Sequence, residues 1–309
     1  MSSLNASARL QSLKALFDQA PVVPSRRVYP AGVRLVVMTV ALVVVTALAA
    51  GVRALAGDNF LLSLVGGALI VCGALCVYAF GMRRLEQRPV TELAPVQARS
   101  GLLTGTLTGF GLFTATLVLI ALFGGYGTEG GVSIAGLLTV FGLMTGVAVT
   151  EELLFRGVLF RLVEELAGTK GALIVSAVLF GGLHLLNPKA TVWGALAIAV
   201  EGGVMLGAVY AATRSLWLPI GVHFGWNFAL SGVFGVTVSG DDSGPGGLLH
   251  GALTGPSVLT GGTFGPEASL FAILVCSVPT VYFLRAARRQ GRLFPRGAAA
   301  REAEQQPAI

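Results

Sequence analysis

The chain has 309 residues, of which 54% are hydrophobic and only 12% charged, and its formal net charge is +6. This composition excludes an ordinary soluble domain, which needs more polar surface. Several apolar runs approach the length that spans a bilayer, so the sequence predicts a polytopic membrane protein. The positive charge lies in loops and tails, where membrane topology and anionic headgroups explain it better than nucleic acid binding does.

Residues 1–30 precede the apolar runs. Leu10, Leu13, Leu16 and Phe17 recur there at helical spacing, with charged residues between them, and three prolines follow. This pattern predicts an interfacial helix and a stiff linker on the cytoplasmic side. The charged lead-in is much longer than the corresponding region of a signal peptide, which argues against that interpretation.

Eight apolar segments follow, and each is predicted to be a transmembrane helix. Their approximate bounds are 33–51, 59–82, 102–124, 132–160, 171–187, 191–212, 216–237 and 267–284. Residues 31–285 are therefore predicted to form an all-α, polytopic integral membrane bundle of about eight helices. The arginine-rich residues 286–309 are predicted to be a disordered cytoplasmic tail.

Lysine and arginine are distributed unevenly between the loops. They cluster after the second, fourth, sixth and eighth segments, whereas the loop 125–131 has none and the loop 238–266 carries only Asp241 and Asp242 as charges. Arg53 and Lys189 are the exceptions. The positive-inside rule therefore places both chain ends in the cytoplasm. The sequence shows no internal repeat, which argues against a transporter.

Two carboxylates and a guanidinium stand within residues 150–157, directly after the apolar run of the fourth segment. Ionisable groups at membrane depth are energetically unfavourable and tend to mark function. Glu152 and Arg156 are one helical turn apart in the favourable acid-first order, which predicts an ion pair. Glu151 points in another direction, so any buried function of this residue needs polar groups from other helices.

Two of the three histidines also lie in predicted membrane segments. His184 stands four residues after Phe180 in the fifth segment, and His223 stands four residues before Asn227 in the seventh. For either histidine alone, a hydrogen bond between helices is an equally good explanation. Their occurrence with Glu151 in so apolar a chain predicts one shared site, formed by Glu151, His184, His223 and Asn227.

Three further residues are weaker candidates. Glu201 lies in the middle of the sixth segment, where it could be a second acid of the site or the partner of an arginine, and the sequence favours the structural role. Trp226 lies within the predicted site and is interpreted as a packing or interface residue. His250 lies in an outer loop and is predicted to be solvated.

These stretches resemble the three motifs of the CAAX prenyl endopeptidase and bacteriocin-processing family, also called the Abi family of intramembrane proteases. The family pattern is two glutamates followed after three residues by arginine, then a phenylalanine four before a histidine, then a histidine four before asparagine or aspartate. Here the pattern is Glu151-Glu152 with Arg156, Phe180 with His184, and His223 with Asn227. The resemblance covers residues 132–232, and the motifs occur in the same order on the fourth, fifth and seventh segments.

The resemblance implies a bundle of about eight membrane helices that cleaves a peptide bond in a cavity open to the cytoplasm. In eukaryotic members the substrate is the C-terminus of a prenylated protein. A short chain with cytoplasmic ends suits a bacterial inner-membrane member, for which that substrate is not implied. The expected partners are a membrane-associated peptide or protein and the lipid bilayer, with no nucleic acid. The sequence leaves the oligomeric state open.

Peptide hydrolysis needs an activated water and a group that stabilises the tetrahedral oxyanion. We assign water activation to Glu151, with His184 sharing or orienting the proton, which agrees with what the resemblance implies. His223 and Asn227 would donate hydrogen bonds to the oxyanion. Neither a serine nor a cysteine stands beside these residues, which disfavours a covalent acyl-enzyme.

Glu152 and Arg156 are expected to stabilise the helix and to maintain the electrostatic field around the site. A zinc-dependent version remains an alternative, since Glu151, His184 and His223 could supply three ligands and leave one position open. The zincin pattern of two histidines around a glutamate is absent, and the resemblance favours metal-free water activation without a cofactor. A transporter, a membrane scaffold or an immunity protein is the non-catalytic alternative.

Overall fold

Eight helical rods make up most of the structure of residues 29–242 and 246–297, which are the residues described by this computed structural model. The rods are α1 (Ala31–Ala56), α2 (Phe60–Glu86), α3 (Pro95–Leu122), α4 (Ile134–Glu152, continued by Leu153–Phe160), α5 (Arg161–Leu183), α6 (Val192–Ile198, Ala199–Val204 and Met205–Thr213), α7 (Trp217–Asn227, continued by Phe228–Val233) and α8 (Leu270–Arg289). Each predicted segment corresponds to one rod, so the prediction of an all-α membrane bundle is confirmed.

Six helices within the described residues are long and apolar enough to cross a membrane. In that count α4 and α5 form one continuous helix, Ile134–Leu186, and α7 is not included. The chain nevertheless breaks its helical conformation at Gly168, where φ is 74°. Glycine adopts this conformation without the steric penalty that other residues meet. The break separates the fourth and fifth predicted segments.

Large apolar side chains cover the outside of the bundle. Val36 is 62% exposed, Leu69 67%, Leu107 65%, Val178 63% and Val278 71%. A contiguous apolar surface of this kind is unfavourable in water and is expected where helices contact lipid chains. The exposed surface therefore agrees with the apolar spans in indicating an integral membrane protein.

Three rods contain wide π-helical turns. These turns are Leu153–Phe160 in α4, Ala199–Val204 in α6 and Phe228–Val233 in α7. Turns of this type are rare and occur frequently at functional sites. Glu152 directly precedes the first, Glu201 lies within the second, and Asn227 directly precedes the third. The irregular turns thus occur next to the polar residues that the sequence singles out.

Glycines bring α3 and α7 into close contact. Gly101, Gly105 and Gly109 repeat every four residues along α3 and lie against the backbone of α7. A Cβ atom on Gly109 would lie only 2.0 Å from the carbonyl oxygen of Val222. Small residues of this kind let membrane helices approach closely. This contact fixes the position of the helix that carries His223.

Ion pairs identify two opposite ends of the bundle. At the start of α1, Arg34 pairs with Glu86 at 2.9 Å and with Glu165 at 2.7 Å. Near the end of α1, Arg53 pairs at 2.9 Å with Asp241, which lies in the loop after α7. We call these the arginine-rich end and the arginine-poor end. The first holds the α2–α3, α4–α5 and α6–α7 connections, and the second holds the α1–α2, α5–α6 and α7–α8 connections.

A network of buried ion pairs closes the arginine-rich end. Besides Arg34, the carboxylate of Glu86 contacts Arg88 and Arg161, each at 2.6 Å. Arg88 also pairs with Glu92 at 2.6 Å in the connection between α2 and α3. Ion pairs between these side chains therefore join α1, α2 and α5.

Short strands and turns fold over the arginine-poor end. Strand β1 (Tyr126–Thr128) pairs antiparallel with β2 (Gly251–Leu253). A short helix, Ser257–Thr260, follows, and a turn at Pro266–Ala268 leads into α8. This connection brings Glu267 to the same end of the bundle as Asp241.

The chain after residue 285 is folded as far as the structure describes it. α8 continues to Arg289, and the backbone nitrogen of Phe294 donates a hydrogen bond to the Thr169 hydroxyl at 2.9 Å. The prediction of a disordered tail from residue 286 is therefore wrong for residues 286–297, because this segment packs against α5. Residues 298–309 lie outside the described residues, and so does most of the predicted interfacial helix and linker at 1–30.

Candidate active site

One cavity contains all four residues that the sequence predicts to share a site. Glu151 of α4, His184 at the end of α5, and His223 and Asn227 of α7 all line it. Its volume is about 290 Å³, which is close to the lower end of the range for small-molecule sites. Helices that are distant in the sequence thus bring the predicted polar groups to one space.

The imidazole of His223 lies between two glutamates. Its Nδ1 is 2.9 Å from Oε1 of Glu152, and its Nε2 is 3.9 Å from Oε2 of Glu151. An ionised carboxylate only accepts hydrogen bonds, so the contact with Glu152 assigns a hydrogen to Nδ1. The distance from Nε2 to Glu151 is too long for a direct hydrogen bond and matches a position where one water can bridge.

Glu152 also forms the ion pair predicted from the sequence. Nη1 of Arg156 is 2.6 Å from Oε1 of Glu152, and both side chains are fully buried. Arg156 donates further hydrogen bonds to the carbonyl oxygens of Gly202 and Gly203 in α6. One guanidinium therefore links α4 with α6, and the same carboxylate oxygen orients the ring of His223.

The two adjacent glutamates differ in their access to the cavity. The side chain of Glu151 is 27% exposed and lines the cavity, whereas that of Glu152 is fully buried. Because consecutive helical residues point in different directions, only Glu151 faces the space that can hold water and substrate.

His184 is oriented by the backbone of its own helix. Its Nδ1 lies 2.7 Å from the carbonyl oxygen of Phe180, which can only accept a hydrogen bond. Nε2 is therefore the nitrogen that remains available to bind water or substrate in the cavity. The Phe180 ring contacts both imidazoles, with centroid distances of 5.0 Å to His184 and 6.1 Å to His223. The motif phenylalanine thus spaces the two histidines.

Asn227 follows His223 by one helical turn and is 6% exposed. Its amide can donate two hydrogen bonds and accept others, and it lies at the point where α7 widens into the π-helical turn. The arrangement places an amide donor in the same cavity as the Glu151 carboxylate.

The zinc alternative requires three ligands close together. In residues 29–242 and 246–297, no three histidine, cysteine, aspartate or glutamate side chains approach closely enough to hold a metal ion. Glu151, His184 and His223 share the cavity without forming such a group.

Glu267 is a cavity residue that the sequence analysis did not identify. Its carboxylate accepts hydrogen bonds from Nε1 of Trp226 at 3.1 Å and from the Ser239 hydroxyl at 2.9 Å. A charged residue at the start of an otherwise apolar segment was the available signal. Trp226, interpreted from the sequence as packing, therefore also holds this acid.

Glu201 lines the cavity and is 3% exposed. Neither of its carboxylate oxygens has a hydrogen-bond partner among the described residues. The sequence favours a structural role for it, with an arginine as the possible partner. That pairing is absent because Arg156 points Nη1 at Glu152 and Nη2 at the carbonyl oxygens of the two residues that follow Glu201.

The rim of the cavity lies at the arginine-poor end. Arg53, Asn187, Ser239 and Asp241 line it there, in or beside the connections of that end. The positive-inside rule assigns the opposite end to the cytoplasm. The predictions of a cytoplasmic arginine-rich end and of a cavity open to the cytoplasm therefore conflict, because the cavity occupies the other half of the bundle.

Comparison with protein families gives a match over the helices that carry the three motifs. Residues 132–229 match the family model described as Type II CAAX prenyl endopeptidase Rce1-like. No curated protein and no solved structure matches the chain. The matched segment runs from the start of α4 into the wide turn of α7 and includes all three motifs. The resemblance drawn from these motifs is confirmed: residues 132–229 carry the signature of the Rce1-like type II CAAX prenyl endopeptidases, a family of proteases.

Proposed function

We propose that this protein is an intramembrane endopeptidase that hydrolyses a peptide bond of a membrane-associated substrate with a water molecule activated by Glu151. The observation that carries the proposal is that Glu151 and His223, from different helices, face each other across 3.9 Å within one cavity. The family match over the same helices supports a protease rather than a transporter or scaffold.

Glu151 is the proposed general base. It takes a proton from the water as the water oxygen bonds to the carbonyl carbon of the substrate, and it returns that proton to the departing amine nitrogen. Nε2 of His184, left available by the bond of Nδ1 to Phe180, orients the water or shares its proton. No covalent acyl-enzyme is needed in this sequence of steps.

Asn227 and His223 are the proposed donors to the oxyanion. Each such donor contributes about 3–4 kcal/mol to transition-state stabilisation in a site that excludes water. As an imidazolium, His223 carries a hydrogen on both nitrogens, so Nδ1 donates to Glu152 while Nε2 can donate to the oxyanion. Arg156 has an indirect role, because its ion pair holds in place the Glu152 carboxylate that orients His223.

The proposed reaction uses no metal ion, since the candidate ligands do not gather into a three-ligand group. Treatment with a strong chelator should leave peptide cleavage by the purified protein unchanged. Complete inactivation that is reversed by zinc would contradict the metal-free mechanism.

We propose that the protein lies in a bacterial inner membrane with both ends in the cytoplasm, so that substrate enters from the non-cytoplasmic side. The rim at Arg53 and Asp241 supports this direction. In a chain without its native cysteines, an impermeant maleimide applied to intact cells should label Asp242→Cys and not Arg83→Cys. The reverse pattern would place the cavity on the cytoplasmic side.

The experiment that tests the endopeptidase itself compares the peptides released in membranes containing wild-type protein or Glu151→Gln. We expect a defined set of peptides in the wild type that is lost in the variant. Asp242→Asn is the matched control, because this acid is 45% exposed and does not line the cavity. Identical profiles for wild type and Glu151→Gln would contradict protease action.

A further inference from the structure

Glu201 of α6 is buried in the cavity wall without a partner for its carboxylate. It is 3% exposed, and neither oxygen has a hydrogen-bond partner among the residues that the structure describes. Burial of an ionised carboxylate is unfavourable unless an opposite charge or hydrogen bonds replace the lost water. A protonated carboxyl would likewise leave its hydroxyl hydrogen without an acceptor. The Glu201 carboxyl group therefore needs a hydrogen-bond partner or an opposite charge that the described residues do not supply.

The arginines in and next to the cavity are paired with other acids. Arg156, whose nitrogens reach the carbonyl oxygen of the adjacent Gly202, forms its ion pair with Glu152. Arg53 at the rim pairs with Asp241 at 2.9 Å. Both arginines are thus engaged elsewhere, so water or a bound molecule in the cavity must complete Glu201.

The charged side chains that line the cavity are predominantly acidic. Glu151, Glu201, Glu267 and Asp241 contribute carboxylates, while Arg53 contributes a guanidinium that is already bound to Asp241. Glu267 lies close enough to repel the charge of Glu201, and its own oxygens are occupied by Trp226 and Ser239. A cavity lined mainly by one sign of charge attracts the opposite charge.

The position of Glu201 places this charge beside the proposed catalytic groups. The next residue, Gly202, packs against Phe180 so tightly that a Cβ atom would lie 2.3 Å from the ring. That ring contacts both His184 and His223. A group bound by Glu201 would thus lie close to the peptide bond that the histidines and Glu151 act on.

We propose that Glu201 binds a cationic group of the substrate next to the cleaved bond, either the ammonium group of a lysine or free N-terminus or the guanidinium of an arginine. The inference rests on the proposed endopeptidase function and adds a substrate class to it. Because the described side chains form no three-ligand metal group, an organic cation fits this single carboxylate better than a metal ion does.

A peptide library with acetylated N-termini tests the proposal on full-length protein in nanodiscs, with cleavage sites read by mass spectrometry. Wild-type protein should cleave at one fixed distance from lysine or arginine. For a matched pair of peptides that differ only by lysine or methionine at that position, the Glu201→Gln variant should lower the lysine-to-methionine ratio of kcat/KM by about tenfold or more. Most of the change should lie in KM, because the contact binds the substrate.

Asp242→Asn is the control, since it removes an exposed carboxylate outside the cavity and should leave the ratio unchanged. A library without acetylation distinguishes the two sources of an ammonium group, because an N-terminal group would then restore cleavage of peptides that lack lysine. The proposal is overturned if wild-type protein shows no basic preference, or if Glu201→Gln slows both matched peptides equally, as a purely structural role would.

A binding measurement keeps the proposal testable if no library peptide is cleaved. Nα-acetyl-lysine amide should raise the Tm of wild-type protein saturably, Nα-acetyl-methionine amide should not, and Glu201→Gln should lose the difference. Absence of this shift in the wild type would also overturn the proposal. Cleavage that persists in Glu151→Gln would instead contradict the endopeptidase mechanism, whatever Glu201 binds.

Discussion

The two ends of the bundle both bury charged side chains but treat them differently. At the arginine-rich end, Glu86 and Glu92 each contact at least one arginine at 2.6 Å. In the cavity, neither oxygen of Glu201 has a hydrogen-bond partner among the described residues. Carboxylates paired with arginines can hold helices together, whereas a buried carboxylate without a partner indicates where another molecule completes the site. The comparison separates a structural region from a functional one within the same membrane bundle.

The largest expected effect tests the structural region. Glu86→Gln removes the charge that faces Arg34, Arg88 and Arg161. Breaking a buried ion pair by removing one partner typically lowers the free energy of unfolding by about 3–5 kcal/mol, because the remaining charge stays buried. Chemical denaturation of the protein in mild detergent measures this loss.

Arg83→Gln is the control for that change, because Arg83 lies in the same turn of α2 and is exposed. It should leave the free energy of unfolding unchanged. Cleavage by the fraction of Glu86→Gln that remains folded should match the wild type. A selective loss of kcat in this variant would show that the network also serves the reaction.

The second effect tests the functional region. Asn227→Ala removes a proposed oxyanion donor and should lower kcat by about a hundredfold or more. The free energy of unfolding should change little, because Asn227 faces the cavity rather than an apolar contact. The measurement compares the kcat of Asn227→Ala with that of the wild type on one cleaved peptide, with Glu151→Gln as the inactive baseline. A reduction of less than threefold would remove Asn227 from the mechanism.

The third effect tests how firmly the cavity is held by its neighbours. In Gly109→Ala the new Cβ would lie 2.0 Å from the backbone oxygen of Val222, so α3 and α7 must separate. Overpacking of this kind typically destabilises by about 1–3 kcal/mol. We expect a lower Tm together with lower cleavage, because the shift moves His223.

Gly111→Ala is the matched control on the same helix, since a Cβ there meets no atom within 4 Å. It should change neither the Tm nor the cleavage rate. Equal behaviour of Gly109→Ala and Gly111→Ala would show that the α3–α7 contact is looser than its geometry indicates.

The smallest effect concerns pH and returns to the structural region. Burial raises the pKa of Glu92, but the hydrogen bonds and charge of Arg88 outweigh it and hold that pKa below its ordinary value of 4.5. A carboxyl group whose pKa is lowered by folding stabilises the protein at pH values above its ordinary pKa. This stabilisation is lost as the pH falls towards the lowered pKa. The Tm difference between wild type and Glu92→Gln should therefore shrink below pH 4.5. A difference that stays constant would contradict the assignment.

The helices were predictable because apolar composition alone specifies membrane spans. Their ends were less predictable, since polar contacts extend them beyond the apolar runs. α2 continues to Glu86 because that residue joins the arginine network, and α3 begins at Pro95, a residue that suits the first helical position. The charge pattern of the loops also anticipates the two ends of the bundle.

The polar residues of the site were predictable in identity but not in arrangement. Motif spacing selected Glu151, His184, His223 and Asn227, and the fold brings them to one cavity. The catalytic roles of these residues stay predictions. That Glu152 would contact His223 could not be foreseen, because the contact depends on how α4 and α7 cross. Glu267 depends in the same way on the path of the long connection before α8.

The wide turns have a consequence for anyone who transplants this site into an idealised scaffold. A π-helical turn places its hydrogen bonds across one more residue than an α-helical turn does, so side chains beyond it are rotated away from the positions of a regular helix. Copying Glu151, Glu152 and Arg156 onto a straight designed helix would therefore point the guanidinium in a different direction. A graft would need to keep the whole π-helical turn Leu153–Phe160, which contains Arg156, together with Glu151 and Glu152.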